Sequence, residues 1–99
     1  MRLGKVLGTV VASQKQGKLS GLKLLLIQDL DHEGQSLESS QVAADTTGAG
    51  VGETVLYILG SSARYTALTN DAPVDAIVVG IVDAIDLGDR RVYDKEQDS

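Results

Sequence analysis

Residues 45–64 read DTTGAGVGETVLYILGSSAR, and the reading of this stretch decides the fold. Three glycines at alternate positions, Gly48, Gly50 and Gly52, run directly into the apolar segment 54–59, and Gly60 and two serines close it. Glycine reaches positive φ without steric cost and lets another backbone approach closely. A glycine string feeding β-branched and aromatic residues therefore predicts a tight turn into a strand. Two nucleotide-binding readings fail on residue chemistry. A dinucleotide fingerprint needs G-x-G-x-x-G opening a helix, whereas the spacing here is G-x-G-x-G and a strand pattern follows. A P-loop needs Lys and Ser/Thr after its last glycine, and Gly52 is followed by Glu53, whose charge repels phosphate.

Working outward, residues 41–45 (QVAAD) predict a short third strand, reached through a polar connection over 31–40 that turns at Glu33 and Gly34. Residues 2–13 predict a long first strand, bent or bulged near Gly4 and Gly8. Val6, Val10 and Ala12 fall on one of its faces, and Leu3, Leu7 and Val11 on the other. A polar loop at 14–20 carries Lys15 and Lys18. Residues 21–30 (GLKLLLIQDL) have helix-forming leucines, but the flanking glycine and the DHEGQS loop favour a strand, which closes a hairpin over residues 1–30. The fourth strand covers 53–59. Beyond it, Ser61 or Ser62 caps a short helix through about Leu68, and residues 70–73 (NDAP) end that helix. Residues 75–87 (DAIVVGIVDAIDL) predict a fifth strand, with Ile77, Val79, Ile81, Ile85 and Leu87 on one parity and Asp83 interrupting it. Gly88 and Asp89 signal a turn, residues 90–93 a short edge strand, and residues 95–99 a frayed charged tail. The expected architecture is mainly β: a five-stranded, partly open barrel of the OB type with one short helix, as a single domain over 1–99.

Composition narrows function. The 99 residues carry a net charge of −5, three tyrosines, and no Phe, Trp or Cys. A negative balance disfavours a phosphate-backbone partner, whose binding is driven by Lys and Arg displacing counterions. Single-strand binders of the OB type stack bases on aromatic platforms in a basic groove; three tyrosines on an acidic chain argue against that alternative, as against a small-ligand module using the glycine turn. The absence of cysteine excludes disulfides, thiolate metal sites and a Cys nucleophile. The N-terminal apolar segment is too short to span a membrane and holds Lys5, so a cytosolic protein is expected.

No set of side chains assembles an active site, and neither metal nor cofactor is expected. His32, the single histidine, lies in a predicted loop between Asp31 and Glu33, and a zinc site wants three or four ligands. Ser61, Ser62 and Arg64 lack a base to activate a serine; capping explains the serines, and a carboxylate such as Asp45, Asp75 or Asp83 explains Arg64. Asp83 and Asp86 are three apart, hence on opposite faces of a regular strand, which speaks against an acid/base dyad.

Taken together, GTVVAS at 8–13, GLKLLLIQ at 21–28, VAAD at 42–45, GAGVGETVLY at 48–57, GSSAR at 60–64 and PVDAIVVGIVD at 73–83 resemble the EutN/CcmL family of bacterial microcompartment shell vertex proteins. The resemblance runs in order along nearly the whole chain. It implies an OB-like barrel and a cyclic homo-pentamer that caps shell corners between hexameric shell proteins, in carboxysomes or metabolosomes of the bacterial cytoplasm. The role would be structural, not enzymatic. An odd ring uses a heterologous interface, one patch meeting a different patch on the next subunit. On that basis Gly48, Ala49 and Gly50 are expected near the five-fold axis, and the loop with Lys15 and Lys18 toward the neighbouring tiles. Tyr65, where relatives often carry Gln, and the highly charged tail depart from the common pattern.

Overall fold

The branched and leucine-rich runs become seven strands among the residues that the computed structural model describes, 1–11, 23–60 and 75–97. They are β1 (Arg2–Val10), β2 (Lys23–Leu30), β3 (Ser36–Asp45), β4 (Thr54–Leu59), β5 (Ala76–Ile81), β6 (Ala84–Leu87) and β7 (Arg90–Asp94). The first five close a barrel in the order β1-β2-β3-β5-β4, and β6 and β7 form a separate two-stranded sheet. All barrel pairings are antiparallel except β3 with β5, which is parallel and short, joining Ala44 to Ile77 and Asp45 to Val78. The expected OB-like barrel and the β1–β2 hairpin are therefore present. The expected helix over 61–68 lies outside the described residues, as do Arg64, Tyr65, Lys15 and Lys18.

Alternation sorts side chains between the two faces of the barrel wall. Val6, Leu25, Ile27, Ala43, Val55, Tyr57, Ala76 and Val78 fill the interior, with Leu59 and Ile81 packed against them. Each such branched or aromatic side chain contributes about 1.5–3 kcal/mol on full burial. A second, outward cluster joins Ala44 and Ile77 to Leu24, Ile58 and Val79. Both faces of the wall are covered in part, as the leucine-rich strands imply.

Two bulges overturn the simple parity expected for β1 and for the fifth strand. Register shifts between Val6 and Gly8, so Leu7 is an extra residue. Val6 then pairs with inward Ile27, but Val10 pairs with outward Leu24, so Val6 and Val10 lie on opposite faces. On β5, Leu56 pairs with Gly80 and Tyr57 with Val78, leaving Val79 over. Ile77 consequently faces out while Ile81 packs inward. A bulge bends a strand and raises its twist, which a barrel of few strands needs in order to close.

Three further expectations are corrected. The third strand begins at Ser36, five residues before its predicted start, because β2 offers Leu30 as a pairing partner there. The predicted strand over 75–87 is two strands: Val82 and Asp83 separate β5 from β6, where the Val82 amide donates to the Thr54 carbonyl and the sheet ends. Lys95 is not frayed. Its backbone amide donates to the Asp83 carbonyl, and its ammonium lies 2.7 Å from Glu53 Oε2. The β6–β7 hairpin, hereafter the arm, is thus fastened at its base.

Candidate functional site

The glycine turn joins β3 to β4 and is built from the Asp45 carboxylate outward. Asp45 Oδ1 accepts from the Thr47 amide and hydroxyl, and Oδ2 from the Ala49 amide at 3.0 Å. Two N–H groups that the bend frees, those of Thr47 and Ala49, thereby find an acceptor, which buried backbone requires. Gly48 (φ 77°) and Gly52 (φ 89°) take left-handed conformations that a side chain strains, which accounts for glycine at both. Ala49 turns its methyl into the core and is fully buried. Its carbonyl accepts from Lys23 Nζ at 3.0 Å. The Gly52 amide donates to the Val6 carbonyl, and the Val6 amide to the Glu53 carbonyl, so the turn locks onto β1 beside its bulge.

Glu53 is the turn's second organiser. Oε1 accepts from the Gly50 amide at 2.6 Å, and Oε2 takes the Lys95 ammonium. The Lys95 ammonium, then the Gly50 N–H, hold its carboxyl below the ordinary range, and Glu53 raises Lys95 in return. Glu53, singled out in the sequence only as a charge hostile to phosphate, is the link between turn and arm. The signal that would have found it is the pairing of Glu53 with a lone lysine just past β7, which no local pattern encodes. Arg90 at the far end of the arm lies 3.3 Å from Glu33.

At the opposite end of β4, Tyr57 is fully buried and its hydroxyl donates to Asp29 Oδ1. Ser39 donates to Asp29 Oδ2 at 2.5 Å. Burial, then the Asp29 hydrogen bond, push the Tyr57 phenol up to about 12, while Arg2 opposes. Gly4 sits against this pair, and any β-carbon there would fall 2.1 Å from Ile27 Cγ2 and 3.3 Å from the Tyr57 ring. This buried polar cluster is structural: both carboxylate oxygens are occupied, and Tyr57 has no face to offer a ligand.

The remaining candidates separate. His32 is exposed in a turn that Asp31 organises by accepting the Glu33 and Gln35 amides at 2.9 and 3.0 Å. Asp83 and Asp86 do not converge: Asp86 pairs with Arg91 at 2.8 Å, which lowers its carboxyl. Among the described residues no group of three His, Cys, Asp or Glu side chains could hold a metal, and no helix is long and apolar enough to cross a membrane. Gly48 and Gly50 lie at the protein surface beside exposed Val51, with Ala49 inverted between them.

What this surface presents is a backbone-lined turn, an arm and exposed apolar side chains. A family model described as ethanolamine utilisation protein EutN/carboxysome matches residues 1–83. A carboxysome shell vertex protein, CcmL of Synechococcus elongatus, is 48% identical over 99 residues, spanning 100% of both chains. The solved structure of CcmL from Gloeobacter violaceus superposes with a TM-score of 0.92 at 47% identity, covering 97% of this chain and 99% of that one. The pentameric microcompartment shell protein GrpN from Rhodospirillum rubrum superposes at 0.79, with 47% identity over 88% of this chain and 99% of its own. By both sequence and barrel, this chain belongs to the EutN/CcmL family.

Proposed function

We propose that this protein is a structural vertex component of a bacterial microcompartment shell of the carboxysome type, acting as a ring of five. The observation that carries the reading is likeness along the full chain to carboxysome shell vertex proteins, together with 47% identity to a pentameric shell protein. Its partners are then further copies of itself and hexameric shell proteins, and its place is the shell within the bacterial cytoplasm. The role is mechanical, not catalytic: the charged groups described above are engaged with one another in ion pairs and hydrogen bonds.

Physical features support a ring. An odd, closed ring needs two different complementary patches on each subunit. Leu7, Leu37, Val42 and Val51 are all more than 40% exposed, more apolar surface than a small acidic monomer has reason to leave in water. We place the turn of Gly48, Ala49 and Gly50 near the five-fold axis, where backbone rather than side chains would frame a narrow opening. Gly48 is exposed and the Ala49 methyl points away from solvent, which suits that position. We further propose that Lys15 and Lys18, which lie outside the described residues, face the hexameric tiles. Among the described residues Tyr57 is enclosed in the core and cannot stack on a base, which speaks against single-strand nucleic acid.

Native mass spectrometry of the purified protein, with co-expression alongside hexameric shell proteins, tests the proposal. A five-chain species that enters closed shells is expected. A chain that forms no ring and is left out of shells refutes it.

A further inference from the structure

Among the described residues the N-terminal part of β3 and both strands of the arm each have an edge without a strand partner, and we infer that two of these edges pair between copies: β7 of one chain's arm adds to the open edge of β3 on the next. This rests on the ring reading and specifies its interface. The first edge is the N-terminal part of β3. Ser36 and residues 40–42 pair with β2 on one side, with an irregularity over 37–39, but β5 joins β3 only at Ala44 and Asp45. The Leu37 and Ser39 carbonyls accept from the Gln28 side chain, which reaches them from β2. The regular ladder resumes at Ser40 and backbone groups alternate sides along a strand, so those of Ser40, next to Ser39, point the other way, to the edge left unpaired among the described residues. Five of the seven residues from 36 to 42 are exposed in an unbroken run, 36–40, which leaves this edge open to an incoming strand.

The second edge is on the arm. β7 pairs only with β6, and the pair stands apart from the barrel sheet. An isolated two-stranded hairpin is marginally stable in water and gains most from a third strand. Within one chain β7 pairs with β6 and not with β3, and the arm meets the barrel at Glu53 and Glu33. Between chains, both deficits are met by one contact, and the contact joins unlike patches, as a closed odd ring demands. Net charge favours β7 over β6 for that contact: the β3 edge carries Glu38, β7 carries Arg90 and Arg91 against Asp94, and β6 carries only Asp86. Arg90 and Arg91 also meet Glu33, Asp86 and Asp94 within the chain, so the contribution of charge is modest.

The test uses rings of the full chain. Because the sequence has no cysteine, Ser40→Cys and Val92→Cys can be joined selectively by a short bis-maleimide. Covalent multimers are expected when both substitutions are present and not with either alone. Ser40→Pro, which removes an edge-facing N–H while sparing the β2 ladder, is expected to keep the far-UV circular dichroism of the parent and to shift rings to monomers. Should Ser40→Pro fail to fold, the cross-link alone decides. Intact wild-type rings that give no multimers with the double cysteine variant overturn the pairing and leave the vertex reading standing. A wild-type chain that forms no ring and enters no shell overturns both.

Discussion

Gly4→Ala isolates the packing at the barrel's tightest point. Gly4 lies on β1 between Asp29 of β2 and Val55 of β4, so hydrogen-bonded ladders hold its backbone on both sides. A β-carbon there would stand 2.1 Å from Ile27 Cγ2, where carbon atoms settle at about 3.5–4.0 Å, so one partner must move by about 1.5 Å. Ile27 is fully buried and β-branched, with little rotamer freedom, and the Tyr57 ring and the Gln28 carbonyl close the other directions at 3.3 and 3.2 Å. Overpacking of this kind costs about 1–3 kcal/mol, and the rigid surroundings put Gly4→Ala near the top of that range. The alanine recovers about 0.4–1 kcal/mol by restricting the unfolded chain. A net loss of about 2 kcal/mol lowers Tm by about 8–16 °C for a domain of this size. Gly8→Ala is the control, since nothing lies within 4 Å of its added carbon. Urea and thermal unfolding at matched protein concentration measure both, the matching being needed because ring formation stabilises by mass action. Equal midpoints for Gly4→Ala and Gly8→Ala would refute the close approach of β1 to Ile27.

Three other outcomes follow from the polar contacts. Asp45→Ala strips the acceptors from Thr47 and Ala49 and is expected to cost about 2–3 kcal/mol, with faster amide hydrogen exchange confined to the glycine turn; unchanged exchange at Ala49 contradicts that role. Glu53 has its carboxyl lowered in the fold, so its contribution is present above the unfolded value of 4.5 and is lost as pH falls through the folded one. Glu53→Gln should therefore flatten the acid limb of stability and cost about 0.5–1 kcal/mol at neutral pH, the partly exposed Lys95 contact being screened by water. Tyr57 has its phenol raised from 10.0 to about 12, so its contribution is complete below pH 10 and is lost as pH rises toward 12. Comparing the alkaline unfolding of Tyr57→Phe with the parent tests this: the parent's extra loss of stability across that interval should vanish in the variant.

Much of the barrel is legible in the sequence because its strands announce themselves by β-branched residues and glycine turns. The segment 45–59 is the plainest case: Asp45, the glycines and the run TVLYIL each have a local reason, and the structure uses all of them locally. Where the reading failed, the cause was not local. Leu7 and Val79 look like ordinary members of an alternating strand, and only the neighbouring strand's register makes each a bulge that reverses parity beyond it. The first half of β3 (SLESS) has no apolar alternation, because it is exposed and borrows its strand conformation from β2. Lys95 reads as tail charge until Glu53 is brought beside it across the β3–β4 turn.

The candidate site was harder to read for a related reason. A catalytic centre would show buried titratable groups converging on a cavity, and the buried groups here converge on one another: Asp29 on Tyr57 and Ser39, Asp45 on the turn. A surface made for assembly shows the reverse, groups with nothing to meet inside the protomer. Leu37 and Val42 expose apolar area on a strand whose Ser40 backbone groups face an edge unpaired among the described residues, where the arm too has edges without a partner. Such residues look like failures of folding logic in a single copy, since a solvent-facing edge with apolar side chains invites aggregation. In a closed ring the same edge is limited to one partner per subunit, and cyclic symmetry stops the addition that would otherwise continue into fibres. The apparent defect in the protomer is thus what a vertex ring requires.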